Sequence, residues 1–233
     1  MSTNTERFLD EYKRLEEVAI KQYHFPADGT AIAKLEQEPA FRNIKAELSY
    51  CREVRNLLQH KPKIQGSYAV EPSDDMIKML SETVQKVNNP PRARNVAIPL
   101  HMILSKGMED LVLPTMREMM EKMYTHVPIM KNGSVIGVFS ENTIFSYLAT
   151  EGIVEIEENM KFSELEEYLP IEKHISESFR FIKQDMLLAN VKEIFEEAHK
   201  KQDRIGLIFT TQTGRKTEKL LGIITAWDVA GRD

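Results

Sequence analysis

Three polar residues near position 60 have side chains that can do chemistry. Arg55, Asn56 and His60 stand at the end of a helical apolar stripe; histidine can act as a general acid or base, and arginine can stabilise a charged phosphoryl group. Five residues turn a helix by about 140°, so Arg55 and His60 do not share a face, whereas Asn56 and His60 do. A working site would need the helix to end at His60 or a second chain to complete it. Alternatively, both cations only stabilise the helix C-terminus, with His60 capping carbonyls ahead of Pro62.

Two further polar pairs stand where helices are predicted to begin. Thr225 is followed three residues later by Asp228, and Ser140 is followed at the same spacing by Thr143. A hydroxyl residue with an acid three positions later is typical of a capping box, in which the cap contributes about 1 kcal/mol. Of the two pairs, only Thr225–Asp228 carries a charge. Helix capping is therefore one interpretation of Thr225 and Asp228.

The elements that position these pairs occur twice in the chain. Residues 127–147 form an apolar strand, a Lys-Asn-Gly turn, a second apolar strand and a helix opened by Ser140. Residues 205–230 repeat this order around a longer polar turn, with Thr225 opening the helix. Each unit leaves an apolar face open, so the repeat predicts that the two copies pack on each other.

A helix with one apolar stripe is predicted before each copy. The first stripe consists of four methionines at helical spacing: Met116, Met119, Met120 and Met123. The second stripe consists of Val191, Ile194, Phe195 and Ala198. This spacing predicts core packing; for the methionines an adaptable partner surface is the alternative.

The repeat resembles a tandem pair of CBS domains over about residues 93–233. The resemblance is carried by Val127–Ile129, Gly137–Ser140 and, above all, Gly222–Val229. The family ends each module with Gly, two apolar residues, Ser or Thr, two variable residues and Asp; the second copy keeps this pattern, and the first has Thr143 in place of Asp. The resemblance implies CBS domains, α/β sandwich modules with short sheets, at 93–158 and 159–233. Together with the small helical bundle that apolar spacing predicts at 1–90, this gives an α+β chain.

The resemblance also implies a ligand between the paired modules. Family members commonly bind AMP, ADP, ATP or S-adenosylmethionine as regulators, need no cofactor, and associate into dimeric discs. By carry-over, Asp228 would hold the ribose, Thr225 the ribose or a phosphate, Arg204 a phosphate, and the backbone near Gly206 the adenine. Trp227 is expected to pack on the other module rather than on a base. The implied ligand-binding residues are Thr225, Asp228, Arg204, Gly206, Ser140 and Pro128.

Residues 55–60 are similar to the R-x4-H motif of HEPN domains, small helical bundles of which many cleave RNA without a metal. This second resemblance implies an endoribonuclease in which Arg55 and His60 are catalytic and Asn56 orients them, at a dimer interface. The predicted helices fit a bundle: apolar spacing favours helices over 8–23, 31–35 and 41–58, and one opened by Ser73. The double proline at 90–91 predicts a boundary.

Composition limits the remaining function classes. A net charge of −5 argues against general nucleic-acid binding, so DNA is not expected as a partner. One cysteine, Cys51, excludes an internal disulfide and suits a reducing compartment. The N-terminus carries acids where a signal peptide is apolar, and no apolar run reaches the roughly 20 residues of a membrane span. The histidines lack metal-site spacing. We therefore expect a cytoplasmic protein without metal or membrane partners.

Three functions are consistent with these residues. The main hypothesis is a regulatory protein whose CBS pair binds an adenine nucleotide and signals to the helical domain. The first alternative is a HEPN-like, metal-independent RNase, with RNA as partner, controlled by the CBS pair. The second alternative is a ligand-free dimeric scaffold.

Overall fold

The computed structural model describes residues 3–60, 68, 70–152 and 155–230. The chain divides into two compact units, residues 1–91 and 92–232. The first is helical and the second contains strands and helices, so the predicted α+β class is confirmed. Within the described ranges, every helix is too short or too polar to cross a membrane.

The first unit is a bundle of three main helices with a short fourth. The helices are α1 (Asn4–Tyr23), α2 (Ala31–Leu35), α3 (Lys45–His60) and α4 (Asp74–Asn88). Ser73 Oγ accepts a hydrogen bond from the Met76 amide at 3.2 Å, which confirms the predicted cap of α4. The helix expected over 41–58 instead begins with a 3₁₀ turn, Pro39–Ile44, because Phe41 has a non-helical backbone conformation.

The apolar stripes of these helices form one core. Phe8 and Leu15 of α1, Leu48 of α3 and Leu80 of α4 are fully buried in it. Cys51 is buried in the same cluster, and burial, with a smaller effect of Glu47, raises the pKa of its thiol to about 12. The bundle therefore stands on its own hydrophobic core, as the helical spacing predicts.

The first copy of the repeat forms a helix, a hairpin and a second helix. Its elements are α5 (Val112–Lys122), β2 (His126–Lys131), β3 (Ser134–Ser140) and α6 (Glu141–Glu151). The strands are antiparallel, with Val127 opposite Phe139. Asn132 and Gly133 join them with positive φ angles of 53° and 85°, as a two-residue hairpin turn requires.

The second copy belongs to a sheet of four strands. Its elements are α7 (Leu188–Lys200), β5 (Ile205–Thr211), β6 (Gly222–Ile224) and α8 (Ala226–Val229). The strand order is β1-β6-β5-β4, where β1 is Ile98–Pro99 and β4 is Ser178–Lys183. The pair β4–β5 is parallel, whereas β6 is antiparallel to both β5 and β1.

Each sheet takes up a segment from outside its own copy. Strand β1 precedes the first copy yet pairs with β6 of the second. In the other direction, the Leu169 carbonyl, beyond the first copy, accepts a hydrogen bond from the Val138 amide of β3 at 2.8 Å. The periodicity did not reveal these pairings.

The two copies also share a core, which confirms that they pack on each other. One buried cluster contains side chains of β3, β4, β5 and β6: Val135, Val138, Phe179, Leu207, Phe209 and Ile223. The two hairpin turns meet as well, since the Leu220 amide donates to the Gly133 carbonyl at 2.9 Å. The repeat is therefore one packed unit.

The methionine stripe is only partly buried, so the core prediction is wrong for half of it. Met119 is buried and Met116 half-buried, but Met120 and Met123 are 80% and 88% exposed. Met123 lies beyond the last residue of α5 with a left-handed φ of 55°, so the helical phase ends before it. Met119 therefore packs in the core, whereas Met120 and Met123 face solvent.

Candidate ligand-binding site

Thr225 and Asp228 meet at the start of α8. The Thr225 amide and Thr225 Oγ1 both donate to Asp228 Oδ2, each at 2.7 Å. The contact is a helix cap of the kind that the spacing predicts. Both residues are half-buried, and Asp228 Oδ1 takes no part in these two bonds. The cap therefore holds a partly exposed carboxylate in a fixed position.

Trp227, between these two residues, does not pack on the other copy. Its side chain is 87% exposed, so the sequence-based prediction is wrong. Helix α8 has a single turn, and its core-facing position is taken by Val229, which is buried against Ile208 and Ile224. The indole is left at the surface beside Asp228.

Arg204 and Gly206 lie at the start of β5. Because Ile208 pairs with Ile224, the start of β5 lies at the end of the strand pair where Thr225 follows β6. The Arg204 carbonyl accepts a hydrogen bond from the Ser178 amide at 2.7 Å, and its side chain is exposed. The strand pairing thus brings Arg204, Gly206 and Thr225 to the same end of strands β5 and β6.

Ser140, the first copy's equivalent of Thr225, is in a different environment. It is 2% exposed, and its amide donates to Thr143 Oγ1 at 3.0 Å. Its hydroxyl donates to Glu177 Oε1 at 2.7 Å, 37 residues away in sequence. Pro128 is buried in β2 opposite Val138, and its carbonyl accepts from the Lys106 amide at 3.1 Å.

Glu177 is the centre of a buried polar cluster that sequence reasoning missed. His126 Nε2 lies 2.7 Å from Glu177 Oε2, and His174 Nδ1 lies 3.1 Å from Oε1, beside the Ser140 hydroxyl. Burial alone would raise the pKa of Glu177, but the hydrogen bonds from His126, His174 and Ser140 outweigh it and hold that pKa well below its usual range. Both oxygens of the buried Glu177 carboxylate thus have hydrogen-bond partners.

Gly206 permits this cluster. A Cβ atom there would lie 2.8 Å from His126 Nε2, closer than Cβ contacts come in proteins, and at a tight 3.3 Å from Glu177 Oε2. A glycine at the start of an apolar strand signals such a close approach, and it was the one sequence feature that pointed here. Among the residues that the structure describes, no three His, Cys, Asp or Glu side chains are placed to hold a metal ion.

A largely apolar cavity of about 560 Å³ lies between α5 and α6, near Ser140. The methionine stripe forms one wall, and the start of α6 forms another. Its remaining lining residues are Tyr124, Thr125, Phe139, Ser140, Glu141 and Ile144. The exposed side chains of Met120 and Met123 stand at this cavity.

In the helical unit, Arg55 is engaged within the bundle. Its guanidinium lies 3.8 Å from Glu16 Oε1 and 5.6 Å from the centroid of the Tyr12 ring. Its Nη1 donates to Asn56 Oδ1 at 3.2 Å. His60 is the last residue of α3, and its side chain, like Pro62, lies outside the described residues. The structure thus brings Arg55 to Glu16 and Tyr12, and the catalytic arrangement stays a prediction.

Comparisons with known proteins bear on the second unit. The chain is similar to a structure of CBSX2 in complex with AMP (TM-score 0.42, 14% identity, 60% of this chain and 92% of that one). It is also similar to the CBS domain of a bacterial CNNM/CorC family Mg²⁺ transporter in complex with ATP (0.40, 13%, 60% and 84%).

A third similar structure is the CBS domain pair of protein MJ0100 in complex with 5′-methylthioadenosine and S-adenosyl-L-methionine (TM-score 0.40, 12% identity, 61% of this chain and 94% of that one). A search of curated proteins found no match to the chain. The family model of the CBS domain matches residues 109–150. These residues hold α5, β2, β3 and nearly all of α6, so this part of the chain is a CBS domain.

Proposed function

We propose that the second unit is a pair of CBS domains that binds an adenosyl ligand at the start of α8. The observation that carries this proposal is the half-buried Asp228 carboxylate, fixed by the Thr225 cap beside an exposed indole. A fixed carboxylate can accept hydrogen bonds from both hydroxyls of a ribose, and immobilising it beforehand reduces the entropy cost of binding.

Neighbouring residues supply the other contacts that such a ligand needs. Trp227 offers an exposed aromatic face, on which a purine base can stack. The exposed Arg204 side chain, just before β5, provides a cation for a phosphate or carboxylate. The space beside Gly206 is filled by His126 and Glu177, so Gly206 is not among the proposed contacts. The ligand class is thus a nucleoside with an anionic or polar tail.

A thermal-shift series tests this proposal. The probes are AMP, ADP, ATP and S-adenosylmethionine. A ligand at 100 times its dissociation constant adds about 2.7 kcal/mol, which for a chain of this size is roughly 5–10 °C in Tm. Asp228→Ala should abolish the shift, whereas Thr143→Ala, at the matching position of the first copy, should retain it. An equal shift in the parent and in Asp228→Ala would remove the proposal.

The same unit is proposed to form a homodimer. Apolar side chains of α5, of the residue that follows it and of α6 are exposed at the surface, among them Met120, Met123, Phe145 and Leu148. Exposed apolar surface of this kind is typical of an interface. Light scattering should give about twice the chain mass of 26.9 kDa, and Phe145→Glu should shift the protein to monomer. A monomeric parent at micromolar concentration would contradict dimerisation.

We propose that the helical unit receives the signal of ligand binding. A ligand can shift the protein between two states only by its difference in affinity for them. Hydrogen exchange in α1, α3 and α4 should therefore differ with and without the bound probe. Unchanged exchange in all three helices would remove this part of the proposal.

The ribonuclease alternative stays a prediction for the helical unit. It requires RNA cleavage that persists in a chelator and disappears in both Arg55→Ala and His60→Ala. Since Arg55 contacts Glu16 and Tyr12, the melting temperature of Arg55→Ala must be measured with the activity. If no probe binds and no RNA is cleaved, the dimeric scaffold is the remaining hypothesis.

A further inference from the structure

We infer that Glu177 closes the ligand site of the first copy and takes the place of a ligand there, so the chain binds adenosyl ligand at its second copy only. The number of sites rests on the proposed function. The structural role of Glu177 does not, and it can be tested without any ligand.

The end of the first copy where a ligand would bind is almost fully buried. Ser140 and Thr143 correspond to Thr225 and Asp228, yet they are only 2% and 1% exposed. The Ser140 hydroxyl, the group that a ligand would need, donates to Glu177. Although Ser140 also lines the cavity between α5 and α6, a ligand that accepts a hydrogen bond from this hydroxyl would have to displace the buried carboxylate.

Displacing the Glu177 carboxylate from its hydrogen-bond partners would be unfavourable in free energy. Both carboxylate oxygens of Glu177 are used: Oε1 accepts from Ser140 and His174, and Oε2 accepts from His126. Removing one partner of a buried, hydrogen-bonded charge leaves the others uncompensated, which is strongly unfavourable. The cluster therefore engages both oxygens of Glu177 and the hydroxyl of Ser140, so this hydroxyl is not available to a ligand.

The Glu177 cluster joins segments that are far apart in the sequence. His126 begins β2, Ser140 ends β3, and Glu177 immediately precedes β4. Glu177 also lies against Gly206 of β5, where the missing Cβ leaves the room that the carboxylate and His126 fill. One side chain thus connects the hairpin of the first copy to β4 and β5, two strands of the sheet that contains the second copy.

Within residues 205–230, which the structure describes, Thr225 and Asp228 are paired with each other and not with a distant carboxylate. Thr225 donates to Asp228, three residues away, and both remain partly exposed. In both copies a carboxylate accepts a hydrogen bond from the hydroxyl residue that opens the helix, Ser140 or Thr225. In the first copy it comes from a distant segment and is buried, and in the second it comes from the helix itself and faces outward.

A pair of matched substitutions tests the structural role. Glu177→Gln keeps the size of the side chain but presents an amide group to one of three donors, and we expect Tm to fall by about 10 °C or more. The control is Glu172→Gln, an exposed glutamate paired with Lys216, which should change Tm by about 1 °C. Equal melting temperatures for the two variants would overturn the inference.

A second pair keeps the test independent of Glu177→Gln folding. Gly206→Ala places a Cβ against His126 and Glu177 and should lower Tm by several degrees. Gly107→Ala meets its nearest atom at an ordinary 3.7 Å and should leave Tm nearly unchanged. A Gly206→Ala protein as stable as the parent would show that the cluster does not hold the two copies together.

Equilibrium dialysis of the parent protein with labelled AMP, ATP and S-adenosylmethionine counts the sites. The inference predicts one bound molecule per chain, lost in Asp228→Ala. Two per chain, or one that survives in Asp228→Ala, would overturn it. If none of the probes binds, the proposed function fails, and the melting temperatures of the two matched pairs still decide whether Glu177 closes the first copy.

Discussion

The two copies of the repeat end alike in sequence and differently in structure. Ser140 and Thr225 each follow an apolar strand and open a helix. The hydroxyl of Ser140 is committed to the buried Glu177, whereas that of Thr225 is committed to Asp228 at the surface. A local sequence pattern therefore determines the helix cap, whereas a residue distant in the sequence determines whether the cap is accessible to solvent.

The largest expected effects should be equal in the two copies, because their cores are equally buried. Phe139 and Ile224, the residues just before Ser140 and Thr225, are 1% and 0% exposed. Phe139→Ala should cost about 3–5 kcal/mol and Ile224→Ala about 2–5 kcal/mol in free energy of unfolding. Urea denaturation measures both. A small loss for either one would break the structural equivalence of the copies.

The next effect separates the copies by pH. Hydrogen bonds from His126, His174 and Ser140 outweigh burial and lower the pKa of Glu177 in the folded state from its ordinary value of 4.5, so the unfolded chain binds the proton more readily. The stability that this carboxylate contributes is present above about pH 4.5 and is lost as the pH falls below it. The difference in urea midpoint between the parent and Glu177→Gln should therefore be largest near neutral pH and shrink below pH 4.5. A constant difference from pH 7 to pH 3 would contradict the assignment.

Removing the two hydroxyls should rank the caps. Ser140→Ala deletes a donor to a buried charge and should cost about 1.5–3 kcal/mol. Thr225→Ala deletes a surface cap and should cost about 1 kcal/mol. Chemical denaturation of both variants gives the order, and a costlier Thr225→Ala would reverse the comparison.

Much of the fold was predictable from local sequence. Helical spacing gave the helices, the Ser73 cap gave the start of α4, and Asn132-Gly133 gave the hairpin turn. Strand β1 has only two residues, too few for a periodic pattern, and its partner β6 lies more than 120 residues further along the chain. Pairings of this kind depend on tertiary packing and not on local preference.

Only part of the candidate site was predictable from the sequence, because some of its contacts also join residues that are far apart in the chain. The Thr225–Asp228 cap follows from its spacing, but burial of Glu177 depends on His126 and Ser140, 51 and 37 residues away. The errors at Met123 and Trp227 have a common cause. Both stand where a short helix ends or has only one turn, so helical phase no longer indicates which face is buried.

The smallest effect on stability is expected at Trp227. Its side chain is largely exposed, so Trp227→Ala should change the free energy of unfolding by no more than about 0.5 kcal/mol. Its effect on ligand affinity should be larger, because stacking of a base on an aromatic ring contributes about 1–3 kcal/mol. Calorimetric titration with AMP and ATP separates the two effects, and unchanged affinity would remove Trp227 from the site.

The most direct measurement follows the fluorescence of Trp227, the one tryptophan of the chain, during titration with AMP, ATP and S-adenosylmethionine. The account predicts that a probe that raises Tm also changes the emission and protects the indole from acrylamide quenching, and that Asp228→Ala loses both responses. A probe that raises Tm while the emission and quenching of Trp227 stay unchanged would place the ligand away from the second copy and contradict the account.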